Sequence, residues 1–469
     1  MTPTNLAYTP ANNSPVLAAD PTDGRFVVAA HRVDAPVFGC GLQVSGDGGR
    51  GWVGVDPVPV LPEGADVCYA PEVAFDRKGT LFYLFVGLQG LGNEPMGVFL
   101  TTSSDRGRTF SSPRQVLGEQ NYQVRLAIDR GIGERGRLYL VWLHSSSDPP
   151  LGGLLDEPNP ILSAYSDDGG VTLSTPVQIS DPTRRRAVGP SLVLARDHAV
   201  HVAHYDLQDD ARDYQGLEGP AWDGTWSVVV TTSTDRGRTF TAGTVVDDMI
   251  APPGRVMLIY TMSPPAFAAG PEGRLYAAWP DAREGDPDIY VARSAPGGAR
   301  WEPPRRLNDD HTGSRVTQEL PRLAVSPGGR LDAVFLDRRN DPANIKHDAY
   351  FAYSLDEGKT FSTNVRLTTE GSDSRIGQRY RNPSAQGLVE LGSRIALLSR
   401  DGDAIAGWPD MRNASFGTNQ QDIFATLVRV PEDGDGDGAV WLTVVAGIAA
   451  LFGASVAGVL LMRRRRRST

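Results

Sequence analysis

Short apolar runs separated by polar turns recur from near the start of the chain to about Val430. Runs of this length, bounded by Gly, Pro and Asp, predict strands rather than helices. They come in sets. Each set opens with a short inner strand, expected at Pro15–Ala19, Pro71–Phe75, Val124–Ile128, Pro190–Ala195, Pro265–Ala269, Pro321–Val325 and Pro383–Leu388. A polar turn follows, such as Asp23-Gly24-Arg25 or Pro327-Gly328-Gly329-Arg330. Then comes a second strand, as at Leu81–Val86, Leu138–Leu143, Leu275–Trp279 and Leu331–Leu336, and a third, as at Gly97–Thr102, Ser227–Thr232, Ile289–Arg293 and Ala349–Tyr353. The inner-strand signals predict about seven sets.

The third strand of most sets runs into one turn motif. Ser103-Ser104-Asp105-Arg106-Gly107-Arg108-Thr109-Phe110 returns as Ser233-Thr234-Asp235-Arg236-Gly237-Arg238-Thr239-Phe240 and as Ser354-Leu355-Asp356-Glu357-Gly358-Lys359-Thr360-Phe361. Further copies start at Ser45 and Ser166, with Asp47 and Asp168 in the third position, and a worn copy at Ser294 has Pro296 there. The spacing is about 60 residues, a period that marks a repeat architecture. Asp bonds its own backbone two residues on and Gly supplies positive φ, so the string is a hairpin turn. Ser-x-Asp-x-Gly-x-Thr-Phe/Trp resembles the Asp box of sialidases and related β-propellers. The resemblance implies an all-β, about seven-bladed propeller with the boxes on its outer rim. Asp47, Asp105, Asp168, Asp235 and Asp356 are then structural. Thr4–Thr9 is similar to Thr363–Thr368, which follows a box, so the amino end is expected to supply the outer strand of the last blade and close the ring.

Composition narrows the setting. Gly 52 and Pro 35 suit many short strands with tight turns. A net charge of −10 argues against nucleic acid as a partner. Cys40 and Cys68 could form one bridge between the first two blades or stand as two thiols. Met1 to Pro10 lacks the basic start and apolar core of a signal peptide. After the propeller, expected over residues 1–430, residues 431–438 form an acidic, glycine-rich spacer. Its Asp-x-Asp-x-Asp-Gly spacing resembles the start of a calcium loop, without the glutamate expected further on. Residues 439–462 run without a charge, long enough for a transmembrane helix. Arg463 to Arg467 place a cytoplasmic tail, residues 463–469, at its end and the propeller outside the cell membrane. The tail also resembles bacterial carboxy-terminal sorting segments.

Candidate chemistry lies in the loops between second and third strands, which often line one face of a propeller. Trp279-Pro280-Asp281-Ala282-Arg283, Phe335-Leu336-Asp337-Arg338-Arg339 and Trp408-Pro409-Asp410-Met411-Arg412 are copies of one motif, followed by Asp288, Asp348 and Asp422. Earlier blades carry His31-Arg32, His144, and His204 with Asp206 near the matching position. One reading is a repeated salt bridge, Arg283 with Asp281 or Asp288 and likewise in the other blades. The other is an anion site in which Arg283, Arg339 and Arg412 grip a carboxylate. In true sialidases an arginine triad does this, beside a Tyr–Glu nucleophile and an acid/base Asp, outside the usual two-carboxylate scheme. Tyr380 is the nearest nucleophile candidate. The Arg-Ile-Pro string of the first triad arginine is missing, and catalytic sialidases have six blades. His31, His144, His204 and Asp206 would make a metal site only by converging across blades, since no local metal motif is present. The expectation is a monomeric binding module for a glycan or surface-protein ligand, without a cofactor. The alternatives are a sialidase-type glycoside hydrolase and, more weakly, an assembly factor for a membrane complex.

Overall fold

The computed structural model describes residues 10–430 apart from 36, 56–59, 91–92, 146–158, 185, 211–221, 253–262, 378–390, 416–417 and 419, together with the backbone of 442–443. Seven antiparallel sheets follow one another along the chain, their strands paired in sequence order except that Ser372–Asp373 returns to pair with the third strand of the sixth sheet, Lys346–Ser354. They are the seven blades of a β-propeller. The inner strands are Asn12–Ala19, Val67–Phe75, Asn121–Asp129, Ala187–Leu194, Ala266–Ala269, Gln318–Val325 and Ala396–Ser399. Six of the seven match the expected segments. The exception is the last blade, whose inner strand is Ala396–Ser399 and not Pro383–Leu388, a segment outside the described residues. Prolines mark the start of the inner strand in five blades, and the seventh has Gly392-Ser393-Arg394 instead.

Outer strands follow the Asp boxes, at Val53–Val55, Arg114–Leu117, Val177–Gln178, Thr244–Ile250, Arg305–Arg306 and Val365–Arg366. In the seventh blade the outer position is filled by Leu442–Thr443, which pairs with Asp422–Arg429. The described part of the expected membrane helix is therefore strand, and the rest of 439–462 lies outside the described residues. Among the described residues no helix is long and apolar enough to cross a membrane. Thr4–Thr9, expected in the outer position, also lies outside them. What the structure describes of the closure begins at Pro10. Gln421 donates to the Pro10 carbonyl at 3.1 Å and accepts from Asn12 at 2.8 Å, so the start of the chain runs parallel to the third strand of the last blade.

The five intact Asp boxes have one geometry. Ser Oγ donates to the Asp carboxylate at 2.7–2.8 Å and accepts the fifth-position Gly amide at 2.8 Å. The same carboxylate takes the backbone N–H four residues on at 2.9 Å. The fifth-position Gly has positive φ and sits hard against the preceding blade. A Cβ there would stand 2.6 Å from Ile405 at Gly49, 2.4 Å from Leu100 at Gly170 and 2.8 Å from Tyr139 at Gly237. Each turn thus seats one blade on the one before it, blade one on blade seven included.

Cys40 and Cys68 form a disulfide, their Cα atoms 5.7 Å apart, that ties the third strand of blade one to the inner strand of blade two. It closes a loop with a sequence separation of 28. Cys40→Ser is expected to cost roughly 3 kcal/mol of unfolding free energy through chain entropy. A guanidinium midpoint unmoved by the substitution would contradict this.

The boxes also set an acid limit. Hydrogen bonds from Thr109 and Ser103 hold Asp105 at about 2, and Asp168 is likewise held at about 2 by Thr172 and Ser166. At Asp235 and Asp356, where burial opposes the shift, the bonds still win and the value is about 2. A depressed folded value stabilises above the unfolded value and is lost as pH falls through the folded one. The urea midpoint is therefore expected to fall between about pH 4 and pH 2. Asp356→Ala should lose about 1 kcal/mol at neutral pH and show a shallower acid decline; an unchanged acid slope would argue against the assignment.

Candidate functional site

The three loop motifs share a construction. Asp281, Asp337 and Asp410 end their second strands, fully buried, directly opposite Asp288, Asp348 and Asp422. The first Asp of each pair accepts the N–H of the Arg two residues on, at 2.9, 2.7 and 2.8 Å. Its other oxygen takes the guanidinium of Arg283, Arg339 or Arg412 at 2.5–2.7 Å. Each guanidinium lies over an aromatic ring of the third strand: Tyr290 at 4.6 Å, Tyr350 at 4.4 Å and Phe424 at 4.4 Å. Each also reaches back to the preceding blade, to Asp247, to Asp309 at 2.5 Å and to Thr369 at 3.1 Å. Burial would lower the pKa of Arg283 and Arg339, but their carboxylate partners outweigh it and raise both.

The salt-bridge reading therefore describes these loops, with Asp281 rather than Asp288 as the partner of Arg283. Asp288 is held through one oxygen, by Asn308 at 2.6 Å and Arg306 at 3.2 Å, and Asp348 is held by Thr368 at 2.5 Å and Arg366 at 2.8 Å. Asp206 caps its own loop by accepting Gln208 N–H at 3.0 Å and pairs with Arg184. Arg32 pairs with Asp34 at 2.8 Å and lies 5.0 Å over Tyr69. His31 is buried, which pulls its pKa down to about 4 and keeps the ring neutral. His144 Nδ1 faces Asn121 Oδ1 at 3.0 Å, and His204 Nδ1 donates to its neighbour's carbonyl at 3.1 Å. The three histidines stay in separate blades, and no cluster of three or more potential metal ligands forms among the described residues. Tyr380 lies outside the described residues.

A second group of arginines, not singled out by the sequence patterns, lines the central channel. Inner strands carry a residue of positive φ near their start: Ser14, Ala70, Gln123, Gly189 and Leu320, with Gly392 in the same place before the last one. Where the pairing is continuous the register shifts there, as between Tyr69 and Glu72 and between Glu319 and Arg322. Such bulges re-aim the next side chains. Two residues beyond the positive-φ position stand Val16, Glu72, Arg125, Ser191, Arg322 and Arg394. Glu72 accepts Arg125 at 3.2 Å and also Arg394. Arg125 donates to the Pro190 carbonyl at 2.9 Å, and Arg394 to that of Pro71 at 3.0 Å. Arg322 has no hydrogen bond or ion pair among the described residues. Burial, then the like charge of Arg394, pulls Arg125 down to about 10 and also lowers Arg322. Two guanidiniums thus pair with one carboxylate, and a third stands within its electrostatic reach, in an otherwise acidic chain. Arg322 lies opposite Val334, three residues before Asp337, so the cluster sits roughly 10 Å below the loop face.

Seven antiparallel blades, five of them closed by an intact Asp box at the outer turn, define the class, an Asp-box β-propeller. No family model matches the sequence, and no curated protein matches it. Among solved structures the chain is similar to the Hadza microbial sialidase Hz136, at TM-score 0.47 and 16% identity over 86% of this chain and 74% of that one. It is similar to Penicillium chrysogenum alpha-L-arabinanase at TM-score 0.42 and 13% identity, over 79% of this chain and 96% of that one. It is also similar to the NanB sialidase from Streptococcus pneumoniae, at TM-score 0.40 and 9% identity over 93% and 86%.

Arg339→Ala should leave Asp337 buried without its charge partner and cost about 3 kcal/mol. Arg339→Lys should rescue only part, because a lysine cannot donate in parallel and stack on Tyr350 at once. Full stability of both variants in urea titration would remove the architectural role.

Proposed function

We propose that this chain is a binding module held at a cell membrane with its propeller outside, taking a glycan or surface-protein ligand that bears an anionic group. The observation that carries the reading is the unbalanced charge of Arg125, Arg322 and Arg394 against Glu72, with Arg322 uncommitted. The loop arginines, by contrast, are each neutralised by a carboxylate and hold architecture. A carboxylate entering from the loop face would meet the channel cluster where burial strengthens the attraction. The membrane assignment rests on the uncharged run that continues beyond the Leu442–Thr443 strand, at 444–462, and on the arginines that follow it. The Cys40–Cys68 disulfide fits an oxidising compartment. A sialidase-type hydrolase is the second reading, because the same cluster suits a sugar carboxylate.

The test is binding of sialyllactose and of lactose to the full chain, with Arg322→Ala alongside. The acidic sugar should bind at least tenfold more tightly than the neutral one, and Arg322→Ala should remove most of that difference. Equal binding of the two sugars by folded protein would sink the anionic-glycan reading. Turnover of a fluorogenic sialoside, lost with Arg322→Ala, would move the assignment to the hydrolase.

A further inference from the structure

The opposite end of the propeller holds a cavity of about 380 Å³ between blades five, six and seven. Its walls come from the turns between inner and second strands, at Gly270–Arg274, Ser326–Arg330 and Asp401, and from the Asp box of blade six. Tyr276 is among the lining residues, and its ring is otherwise enclosed. It is 2% exposed and held between Gly270 and Gly358, where a Cβ would stand 3.3 and 3.1 Å from it. The matching residue of blade three, Tyr139, sits against Gly237 in the same way and donates to the Arg236 carbonyl at 3.2 Å. In blade five the corresponding carbonyl, that of Glu357, is taken by Arg293 at 3.3 Å. The Tyr276 hydroxyl is left with no hydrogen-bond partner among the described residues.

Three carboxylates and two guanidiniums line the cavity, and both guanidiniums are already paired. Glu272, Glu357 and Asp401 line the cavity. Arg274 is spent on Glu357 at 3.1 Å and on the Ser294 carbonyl at 2.5 Å. Arg330, also in the wall, is held by Asp332 in a two-point pair at 2.7 and 2.8 Å. Asp401 uses one oxygen on the Gly328 amide at 2.5 Å and keeps the other. The site therefore offers mainly acceptors, whose complement is a donor-rich cation. Leu355, 51% exposed at the same cavity, supplies an apolar strip that an aliphatic stem can cover.

We propose that this cavity binds a basic side chain, arginine or lysine, of a partner peptide. Its ammonium or guanidinium group lies among Glu272, Asp401 and the Tyr276 hydroxyl, and its stem lies on Leu355. The site is separate from the channel cluster, at the other end of the blades.

The experiment is a titration of the full chain with N-acetylarginine methylamide, followed by saturation-transfer NMR, with the neutral isostere N-acetylcitrulline methylamide as control. Saturable binding of the arginine probe alone is expected, weakened at least fivefold by Glu272→Gln and by Tyr276→Phe, and not displaced by sialyllactose. Glu272 is exposed, so its variant reports even where Tyr276→Phe disturbs packing. No saturable binding, equal binding of the citrulline probe, or full affinity in both variants would overturn the proposal. Displacement by sialyllactose would also overturn it, by placing the probe in the channel.

Discussion

A four-stranded blade cannot bury both of its faces, and everything else in this molecule follows from how each blade borrows a face from its neighbours. The contact that enforces this is small. The fifth residue of each Asp box has no side chain and lies directly on a side chain of the preceding blade, as Gly170 does on Leu100 and Gly49 on Ile405. At Gly49, Gly170 and Gly237 a Cβ would overlap that side chain, in a core where voids and overlaps are both costly. The Asp carboxylate and the Ser hydroxyl hold the turn in the shape that presents this glycine. Their conserved geometry across five boxes therefore belongs to the ring as a whole.

Arginine serves two opposite purposes on this frame. Arg283, Arg339 and Arg412 carry full partners: a buried carboxylate, an aromatic face and a contact on the previous blade. Their charge is spent on position. Arg125, Arg322 and Arg394 are placed by inner-strand bulges around one shared Glu72. Their charge is only partly cancelled. The same residue type at two radii of the propeller is thus paired with its own carboxylate in one case and only partly paired in the other.

The fold was legible in the sequence because both of its signals are local. Strand-length apolar runs and the Ser-x-Asp-x-Gly turn need no distant partner to be recognised. The loop arginines were legible as a motif, and their pairing with Asp281, Asp337 and Asp410 follows from spacing within the motif. The channel cluster was not legible, since Glu72, Arg125, Arg322 and Arg394 come from four blades and no spacing joins them. What signal existed was a polar residue just after the strand-opening proline, at Pro71-Glu72 and Pro321-Arg322. That proline cue also misled: blade seven lacks it, so its inner strand was placed at Pro383–Leu388 instead of Ala396–Ser399. The outer strand of the same blade, Leu442–Thr443, was hidden because an uncharged apolar run reads equally as membrane span or as buried strand.

The closure between Pro10–Asn12 and Gln421 sets an order of events during synthesis. A ribosome delivers the two halves of this seam some four hundred residues apart, so blade one must wait with one flank open while six more blades are made. The Cys40–Cys68 bond lies within the first two blades, so its two cysteines meet without that seam. It can fasten the waiting edge to its first neighbour and leave a nascent chain with one exposed flank instead of two loose blades. The covalent link thus sits where an unfinished ring is weakest in time, at the end that is born first.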